Sequence, residues 1–293
     1  MSRWQFGKVR VDRILEFEQA LIPPKLLYPD ATDADVERHR HWLEPRLMEP
    51  GTGLLRMGFH SFLIRSGHHT ILVDTCGGND RQRPGKPRYH MKQWPYLENL
   101  AAAGARVEDI DFVLCTHLHV DHVGWNTRLV DGRWVPTFPR AKYLFARTEW
   151  EFWREHYKTE AFRDDPYYVD SILPVIEAGQ MELVSSDYVF DDEVRLVPSP
   201  GHTPGHVCVE IRSGGADCVM SGDLMHHALQ CAEPDWSSCF CVDPAHSRRT
   251  RREFLARYEG TPVRIMPAHF VTPTAGTIVR AGNAWRFRFE DEA

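Results

Sequence analysis

The 293-residue sequence lacks any apolar segment close to the ~20 residues that a helix needs to cross a bilayer, which argues against a membrane protein. The opening segment Met1–Phe6 has no apolar signal core, so we expect no export and a cytoplasmic location. Lysine and arginine form no dense block, and the formal net charge is −6, which argues against nucleic acid as a partner. With 42% hydrophobic residues and charges spread along the chain, we expect a soluble globular protein.

Cysteine is present, but not in the number or arrangement of a disulfide framework. Seven cysteines are an odd number in a chain without an export signal. Cys239 and Cys241 stand one residue apart, yet no second pair lies nearby in the sequence to complete a zinc site. Internal repeats and low-complexity segments are absent too, which argues against a solenoid and favours a single domain over residues 1–293.

What the sequence does contain is a dense group of metal-ligand side chains. The string His-Leu-His-Val-Asp-His begins at His117, one residue after the apolar run Asp111–Cys115. Residues two apart on a strand face the same side, so His117 and His119 can point at one ion. Asp121 and His122 would lie on the following turn, where they could reach a second ion. Nitrogen and oxygen ligands of this kind suit borderline metals such as zinc, so the spacing predicts half of a two-metal site.

Three further apolar runs end in residues of the same kinds. They are Arg195–Val197, which leads to His202, Cys218–Met220, which leads to Asp223, and Val263–Met266, which leads to His269. Short apolar runs bounded by glycine and proline are typical of buried strands. Four buried strands would therefore deliver ligand-type residues at their C-terminal ends, and a rigid scaffold of this kind can bring distant positions to one site.

These residues, in this order and spacing, resemble the metallo-β-lactamase-fold hydrolase superfamily over about residues 55–275. The signature His-x-His-x-Asp-His is matched in full, and the later histidine, aspartate and final histidine match as well. The resemblance implies two zinc ions, with other divalent metals as alternatives. It assigns one ion to His117, His119 and His202, the other to Asp121, His122 and His269, and a bridging role to Asp223.

The order of the predicted elements suits a layered α/β fold, and the resemblance implies a four-layer αββα sandwich with two facing sheets between outer helices. Local patterns predict the elements themselves. The predicted strands are Phe6–Val11, Phe59–Arg65, Thr70–Val73, Ile278–Arg280 and Trp285–Phe289. The predicted helices are Asp33–Leu43 with Thr32 as its cap, 89–103 ending at Gly104, Thr148–Tyr157, 167–178 with a break at Pro174, and Glu253–Tyr258. Arg248, Arg249, Arg251 and Arg252 precede this last helix, and we expect them on a solvated face.

Two segments extend the predicted domain. An N-terminal arm at about residues 28–50 is too long for a simple connection, and it carries Leu43, Leu47 and Met48 among charges. That mixture is typical of an interface, so we predict a homodimer that forms through an exposed arm. A helical insert at about residues 145–180 places Trp150 and Trp153 at helical spacing. Core packing is the ordinary interpretation of this aromatic stripe, and the wall of an apolar pocket is the alternative.

Two metals about 3.5–4 Å apart can share one water and lower its pKa toward neutrality. We therefore predict a zinc-dependent hydrolase that acts through a metal-bridging hydroxide, with Asp121 and Asp223 among its catalytic residues. The aromatic-rich insert fits a small-molecule substrate with an apolar acyl or aryl group, and the superfamily's lactonase, arylesterase and organophosphate-hydrolase group is the most similar. A lactone, ester or similar carbonyl substrate is the first hypothesis. A phosphotriesterase or phosphodiesterase on the same site is the alternative, and a mononuclear iron oxygenase is the rival from another class.

Four further residues are candidates for supporting roles. Asp74 and His206 are predicted to fix the tautomers of the metal-binding imidazoles. In the lactone-hydrolysing group a tyrosine commonly stands three residues after the bridging aspartate, and here that position is His226. An imidazole can donate a proton near neutral pH, so we predict His226 as the catalytic proton donor. The alternative is that His226 and His227 are both polar loop residues.

Overall fold

Most of the regular structure lies in strands and short helices that alternate along the chain. The computed structural model describes residues 2–159 and 166–292. The strands in these ranges are β1 (Arg3–Phe6), β2 (Val9–Ile22), β3 (Leu55–Arg65), β4 (Thr70–Val73), β5 (Phe112–Cys115), β6 (Thr127–Val130), β7 (Arg133–Pro136), β8 (Lys142–Ala146), β9 (Met181–Val184), β10 (Val194–Pro198), β11 (Val207–Ser213), β12 (Ala216–Gly222), β13 (Arg264–Pro267), β14 (Gly276–Ala281) and β15 (Ala284–Phe289). The α-helices are α1 (Pro24–Leu27), α2 (Asp33–Leu43), α3 (Tyr96–Ala102), α4 (Arg147–His156), α5 (Leu173–Glu177), α6 (Leu229–Ala232) and α7 (Pro244–Tyr258).

The strands form two large sheets and one small hairpin. The first sheet has the order β1-β2-β3-β4-β5-β8-β9, and the second has the order β10-β11-β12-β13-β14-β15. Strands β4, β5, β8 and β9 run parallel to one another, and β12 pairs in parallel with β13. The carboxyl ends of parallel strands lie at the same edge of a sheet. The segment after β5 therefore lies at this edge of the first sheet, and the segments after β12 and β13 lie together at the corresponding edge of the second sheet.

The two sheets pack face to face with helices on their outer faces. On β3, Phe62 and Ile64 point between the sheets into a buried cluster that contains Val209 and Met220 of the second sheet. The intervening Leu63 points the other way, into the cluster that includes residues of α3, α4 and α5. A strand alternates its side chains between faces, so an uninterrupted apolar run on β3 marks burial on both sides.

The outer face of the second sheet is covered in the same way. Val219 and Ile265 lie in a cluster with Phe254 and Leu255 of α7. The layers are therefore helices, sheet, sheet and helices, and the predicted αββα sandwich is confirmed. Among the described residues no helix is long and apolar enough to span a membrane.

The N-terminal arm contains the predicted helix but not the predicted exposed surface. Helix α2 spans Asp33–Leu43, and Thr32 and Asp35 form a reciprocal capping box at its start, as local sequence predicts. Leu43, Leu47 and Met48 are buried in the chain's own core and not on a surface. The expectation of an exposed apolar arm is therefore wrong, and the argument for a homodimer through these side chains is lost with it.

Helix α7 begins earlier than predicted, and this changes the role of its arginines. It starts at Pro244 after Asp243, whose side chain accepts a hydrogen bond from the His246 amide. Arg251 is fully buried in the helix and donates to the carbonyl oxygens of Pro234 and Trp236 at 2.9 and 2.8 Å. The expectation that all four arginines lie on a solvated face is wrong for Arg251, because its guanidinium satisfies carbonyls of the preceding loop.

Two other predicted helices are shorter or more broken than their patterns indicate. The helix predicted over 89–103 begins only at Tyr96, because Pro95 precedes it and the segment before it is a turn; Gly104, with a φ of 81°, follows its end. In the insert, α4 begins at Arg147, and a π-helical turn at Tyr168–Ile172 precedes α5, so Pro174 lies in a first helical turn. Residues 160–165 of the predicted insert lie outside the described residues.

Candidate metal centre

The residues that follow four strand ends meet at one edge of the sandwich. His117 and His119 come shortly after β5, His202 follows β10, Asp223 follows β12 and His269 follows β13. Their ligand atoms form two groups, and within each group the atoms lie within 4.8 Å of one another. The first group is His117, His119, His202 and Asp223, and the second group is Asp121, His122 and His269. The structure thus brings together all seven residues that the sequence singled out as metal ligands.

The first group is shaped around a common point. The Nε2 atoms of His117 and His202 are 3.1 Å apart, and Nδ1 of His119 lies 3.0 and 2.9 Å from them. A neutral imidazole has one donor and one acceptor nitrogen, so three nitrogens facing one another cannot all be satisfied by mutual hydrogen bonds. A tetrahedral zinc ion with bonds of about 2.0–2.1 Å would hold nitrogen ligands about 3.3 Å apart. The donor set therefore fits a borderline divalent metal.

The second group shares Asp223 with the first. Oδ1 of Asp223 lies 3.2 Å from Nε2 of His122 and 3.1 Å from Nε2 of His269, while Oδ2 lies 3.4 Å from Nε2 of His202. Asp223 Oδ1 and His122 Nε2 are buried and have no well-oriented hydrogen bond among the described residues. Buried polar atoms are rarely left in that state. Oδ2 of Asp223 also lies 3.3 Å from Nε2 of His269, so this carboxylate lies close to histidine nitrogens of both groups.

Burial and neighbouring charges shift the pKa values of the histidines in the two groups in opposite directions. Burial lowers the pKa of His119 to about 4 and holds the pKa of His117 and of His202 well below its ordinary value. These rings are therefore neutral near pH 7, which is the form that binds metal. Burial opposes a charge on His122 as well, but the carboxylates of Asp223 and Asp74 outweigh it and raise the pKa of this ring.

The supporting residues contact the centre in ways the sequence anticipated only in part. Asp74 Oδ2 lies 2.9 Å from Nδ1 of His122, and Asp74 Oδ1 accepts the Thr116 amide at 2.7 Å, so it faces an imidazole as predicted. His206 does not contact the outer nitrogen of His202. Its Nε2 accepts the backbone N–H of Asp223 at 3.0 Å, so it orients the shared carboxylate's backbone.

Two other side chains lie beside His202 and Asp223. The outer nitrogen of His202, Nδ1, faces the thiol of Cys241 at 3.6 Å, so this cysteine lies behind a ligand and is not in either group. Nε2 of His226 lies 3.2 Å from Asp223 Oδ2 and 3.3 Å from Ser238 Oγ. His227 points away from the centre, and its Nε2 lies 3.0 Å from the Leu47 carbonyl oxygen in the arm. The two neighbouring histidines therefore have different surroundings.

Tyr89 belongs to the site, although no sequence pattern indicated it. Its hydroxyl donates to Asp121 Oδ2 at 2.9 Å, and its ring packs edge-on against Phe59. Burial raises the pKa of Tyr89 well above its ordinary value, so the hydroxyl is a donor at any working pH. The residue lies in the turn before α3, within a segment that was predicted to be helical, and a lone tyrosine in a turn carries no signal of its own.

A cavity of about 420 Å³ opens onto the two groups. Its lining includes His119, Asp121, Asp223, His226 and His269 on the polar side. The remaining walls are mainly apolar and aromatic, and they include Ile22, Met57, Phe59, Trp153, Tyr167 and Phe240. Trp153 also packs edge-on against His119, with ring centroids 5.4 Å apart. Of the two interpretations of the aromatic stripe, Trp150 lies in the buried core while Trp153 belongs to both the core and the cavity wall.

A family model described as the metallo-beta-lactamase superfamily matches residues 60–269. The chain belongs to this superfamily. The match begins within β3 and ends at His269, after β13, and it therefore includes both groups of ligand-type residues.

The chain is also similar to individual proteins of this superfamily. N-acyl homoserine lactonase AttM of Rhizobium radiobacter is 29% identical over 228 residues, which is 69% of this chain and 79% of that protein. An N-acyl homoserine lactonase of Bacillus thuringiensis is 26% identical over 121 residues, 41% of this chain and 40% of that protein. The solved structure of AbOPH, a hydrolase of the beta-lactamase superfamily, matches with a TM-score of 0.80 at 23% identity, over 98% of this chain and 96% of the other.

A second solved structure is that of AidC, a dizinc quorum-quenching lactonase with a bound product. It matches with a TM-score of 0.77 at 18% identity, over 99% of this chain and 97% of the other. At these identities the two structures support the fold alone. The family, the lactonase relatives and the His/Asp cluster together place the chain among the metallo-β-lactamase hydrolases.

Proposed function

We propose that the chain is a dinuclear, zinc-dependent hydrolase of a lactone, ester or similar carbonyl compound with an apolar acyl or aryl group. The observation that supports this most is the position of Asp223. Its carboxylate is shared by two groups of ligand-type residues and also lines an apolar cavity. The names of the sequence relatives favour a lactone among the carbonyl substrates.

Two divalent ions held by these groups would supply a water that is deprotonated near pH 7 and would polarise the substrate's carbonyl oxygen. The neutral imidazoles of the first group need no deprotonation before they bind metal. Asp121 and Asp223 offset the positive charge, and the Tyr89 hydroxyl fixes the orientation of the Asp121 carboxylate. His226 lines the cavity beside Asp223, where its Nε2 can donate a proton to a leaving oxygen.

The shape and lining of the cavity support the proposed substrate class. Met57, Phe59 and Phe240 are lining residues that can desolvate an acyl chain or an aryl ring, while the carboxylates and imidazoles in the same lining suit the reacting carbonyl. Small-molecule sites combine these two kinds of surface, and a volume of about 420 Å³ matches a ligand of that size.

The first prediction tests the centre through Asp223→Ala. We expect the purified variant to lose metal and to lose hydrolysis almost completely, because both groups lose their shared carboxylate and its negative charge. Metal content by elemental analysis and turnover on lactones, aryl esters and phosphotriesters are the two measurements. Asp217→Ala is the matched control, since Asp217 lies on the same strand β12 but is remote from both groups, and it should leave both readouts unchanged.

The outcomes of this experiment separate the hypotheses. Two zinc ions per chain with turnover of lactones or esters would support the proposal. Preferential turnover of phosphotriesters or phosphodiesters would favour the alternative substrate class. One iron per chain and no hydrolysis would replace the proposal with an oxygenase, and an Asp223→Ala protein with two metals and normal turnover would show that Asp223 has been given the wrong role.

A further inference from the structure

Glu149 is a buried carboxylate for which the proposed chemistry has no use. It lies in the first turn of α4 and is 1% exposed. Its Oε1 accepts the backbone N–H of Leu118 at 2.9 Å and the indole N–H of Trp153 at 2.6 Å. Its Oε2 accepts the backbone N–H of Gly205 at 3.0 Å. One side chain thus accepts from three N–H donors, two on backbone segments outside α4 and one on α4 itself.

Each of the two backbone donors lies close in sequence to an imidazole of the first group. Leu118 lies between His117 and His119, so its amide belongs to the segment that presents both rings. Gly205 lies three residues after His202 in the loop that follows β10. These two segments come from different sheets. Glu149 is therefore a direct hydrogen-bonded link between the two backbone segments that supply the three nitrogen ligands.

Close packing reinforces the link. A Cβ atom on Gly205 would lie 2.1 Å from the Glu149 backbone nitrogen, so only glycine allows the loop to approach the helix this closely. The loop cannot slide toward α4 because backbone already fills the space, and it cannot move away without breaking the bond to Oε2. The position of the His202 loop is therefore limited from both sides.

A carboxylate suits this position better than any amide. It has two oxygens and only accepts hydrogen bonds, so donors can approach from opposite sides. Glutamine would turn an NH₂ group toward one of the backbone N–H donors, and two donors would then face each other without an acceptor. Leaving a buried backbone N–H unsatisfied carries the full cost of its desolvation. The chemistry of the contact therefore requires glutamate, and not only a side chain of its size.

We propose that Glu149 is a positioning residue that sets the spacing of His117, His119 and His202, and thereby the metal affinity of the first group. Its bond to Trp153 also ties this spacing to the cavity wall, because Trp153 lines the cavity and packs against His119. The inference rests on the proposed metal centre. It assigns no contact with substrate to Glu149, which acts through the backbone of its neighbours.

The chain contains a matched control in Glu16 on β2. This carboxylate is also buried, and it accepts the backbone N–H groups of Gly77 and Gly78, each at 2.9 Å, and the indole N–H of Trp125 at 2.8 Å. Glu16 and Glu149 therefore have the same type of site, with two amides and one indole. None of the donors to Glu16 lies within three residues of His117, His119 or His202, the nitrogen ligands of the first group.

The test compares Glu149→Gln with Glu16→Gln in the full-length, zinc-loaded protein. Stepwise competition with a chelator gives two dissociation constants, and His117→Ala identifies which of them belongs to the first group. We expect Glu149→Gln to raise that constant by about 10–100-fold and to leave the other unchanged, the usual size of an effect from a group that orients a metal ligand. Glu16→Gln should lower the melting temperature as Glu149→Gln does, but it should leave the constant of the first group at its wild-type value.

Several results would overturn the inference. Wild-type constants in Glu149→Gln, an equal loss at both steps, or the same selective loss in Glu16→Gln would each do so. Glu149→Asp is a second variant that keeps the charge but is one methylene shorter, so it cannot reach both backbone amides. It should show the same selective loss, and wild-type constants in it would also contradict the inference. If the wild-type protein did not bind two ions, that result would contradict the proposed function itself. It would be distinguishable from a failure of this inference, in which the wild type binds two ions but the variants keep wild-type constants.

Discussion

At the scale of single residues, His226 is the side chain whose chemistry is most open to measurement. Its ring lines the cavity beside Asp223, and it is proposed to donate a proton to the leaving oxygen. We expect His226→Phe to reduce turnover by about 10²–10⁴-fold on alkyl esters and lactones, whose leaving alkoxides need a proton. Activated aryl esters should lose far less, because their leaving oxygens are stable anions. Turnover on matched alkyl and aryl esters is the measurement.

Metal content is the internal control for this variant, since His226 is in neither ligand group and two ions should remain bound. An equal loss of turnover on good and poor leaving groups would assign His226 a role in binding or structure. No loss on any substrate would make solvent at the centre the proton donor.

Sequence patterns were informative for residues that follow strand ends and uninformative for residues that act through long-range contacts. His117, His202, Asp223 and His269 each come shortly after an apolar run, and the resemblance to the superfamily assigned all four as metal ligands. Glu149 and Tyr89 have no such context. Glu149 looks like any acidic residue in a first helical turn, and its three donors become visible only when two sheets and a helix have been assembled.

At the scale of elements, the N-terminal arm shows where local signals are sufficient and where they fail. The capping box of α2 involves residues three apart, so the start of this helix could be predicted from the sequence alone. Whether Leu43 and Leu47 are exposed depends on what the rest of the chain places over them. The missed start of α3 has a local cause instead, because Pro95 and the turn before it interrupt an apparently helical composition.

His227 anchors this arm, and its environment predicts how stability depends on pH. Burial lowers its pKa to about 4 from an ordinary value of 6.5, so between these values the unfolded chain binds more protons than the folded chain. Stability is therefore lost as the pH falls from 6.5 toward 4. His227→Gln keeps an N–H donor for the Leu47 carbonyl but cannot titrate. Between about pH 7.5 and about pH 5 the variant should lose about 2 kcal/mol less unfolding free energy than the wild type.

Urea unfolding at the two pH values measures this difference. Other histidines titrate over the same range, but they are present in both proteins, so the difference between the two profiles isolates His227. Parallel profiles for wild type and variant would mean that the ring carries its proton equally well in the folded arm.

At the scale of the whole molecule, the proposed metals should contribute to global stability because they bind the folded chain. A ligand present at a thousandfold excess over its dissociation constant stabilises the folded state by about 4 kcal/mol. We expect a chelator to lower the melting temperature by on the order of 10 °C, and stoichiometric zinc to restore it. Calorimetry with and without chelator is the measurement, and an unchanged melting temperature would count against tightly held ions.

The homodimer and the cytoplasmic location stay predictions. The single domain over residues 1–293 is also a prediction, while the family match itself covers residues 60–269. The layered α/β arrangement could be foreseen from the order of the predicted elements, whereas the two facing sheets were implied by the resemblance to the superfamily. The order of strands within each sheet could not be foreseen, since pairing between distant strands leaves no local pattern.

The two ligand groups draw their members from both sheets, with His117, His119 and His122 on one side and His202, Asp223 and His269 on the other. A half-folded chain, with one sheet formed and the other not, would hold an incomplete set of ligands for either ion. Hydrolysis by this centre would then require the complete native state, and every partly folded form would be inactive. Residual activity after heat, denaturant or proteolysis would then be proportional to the fraction of molecules that remain fully folded.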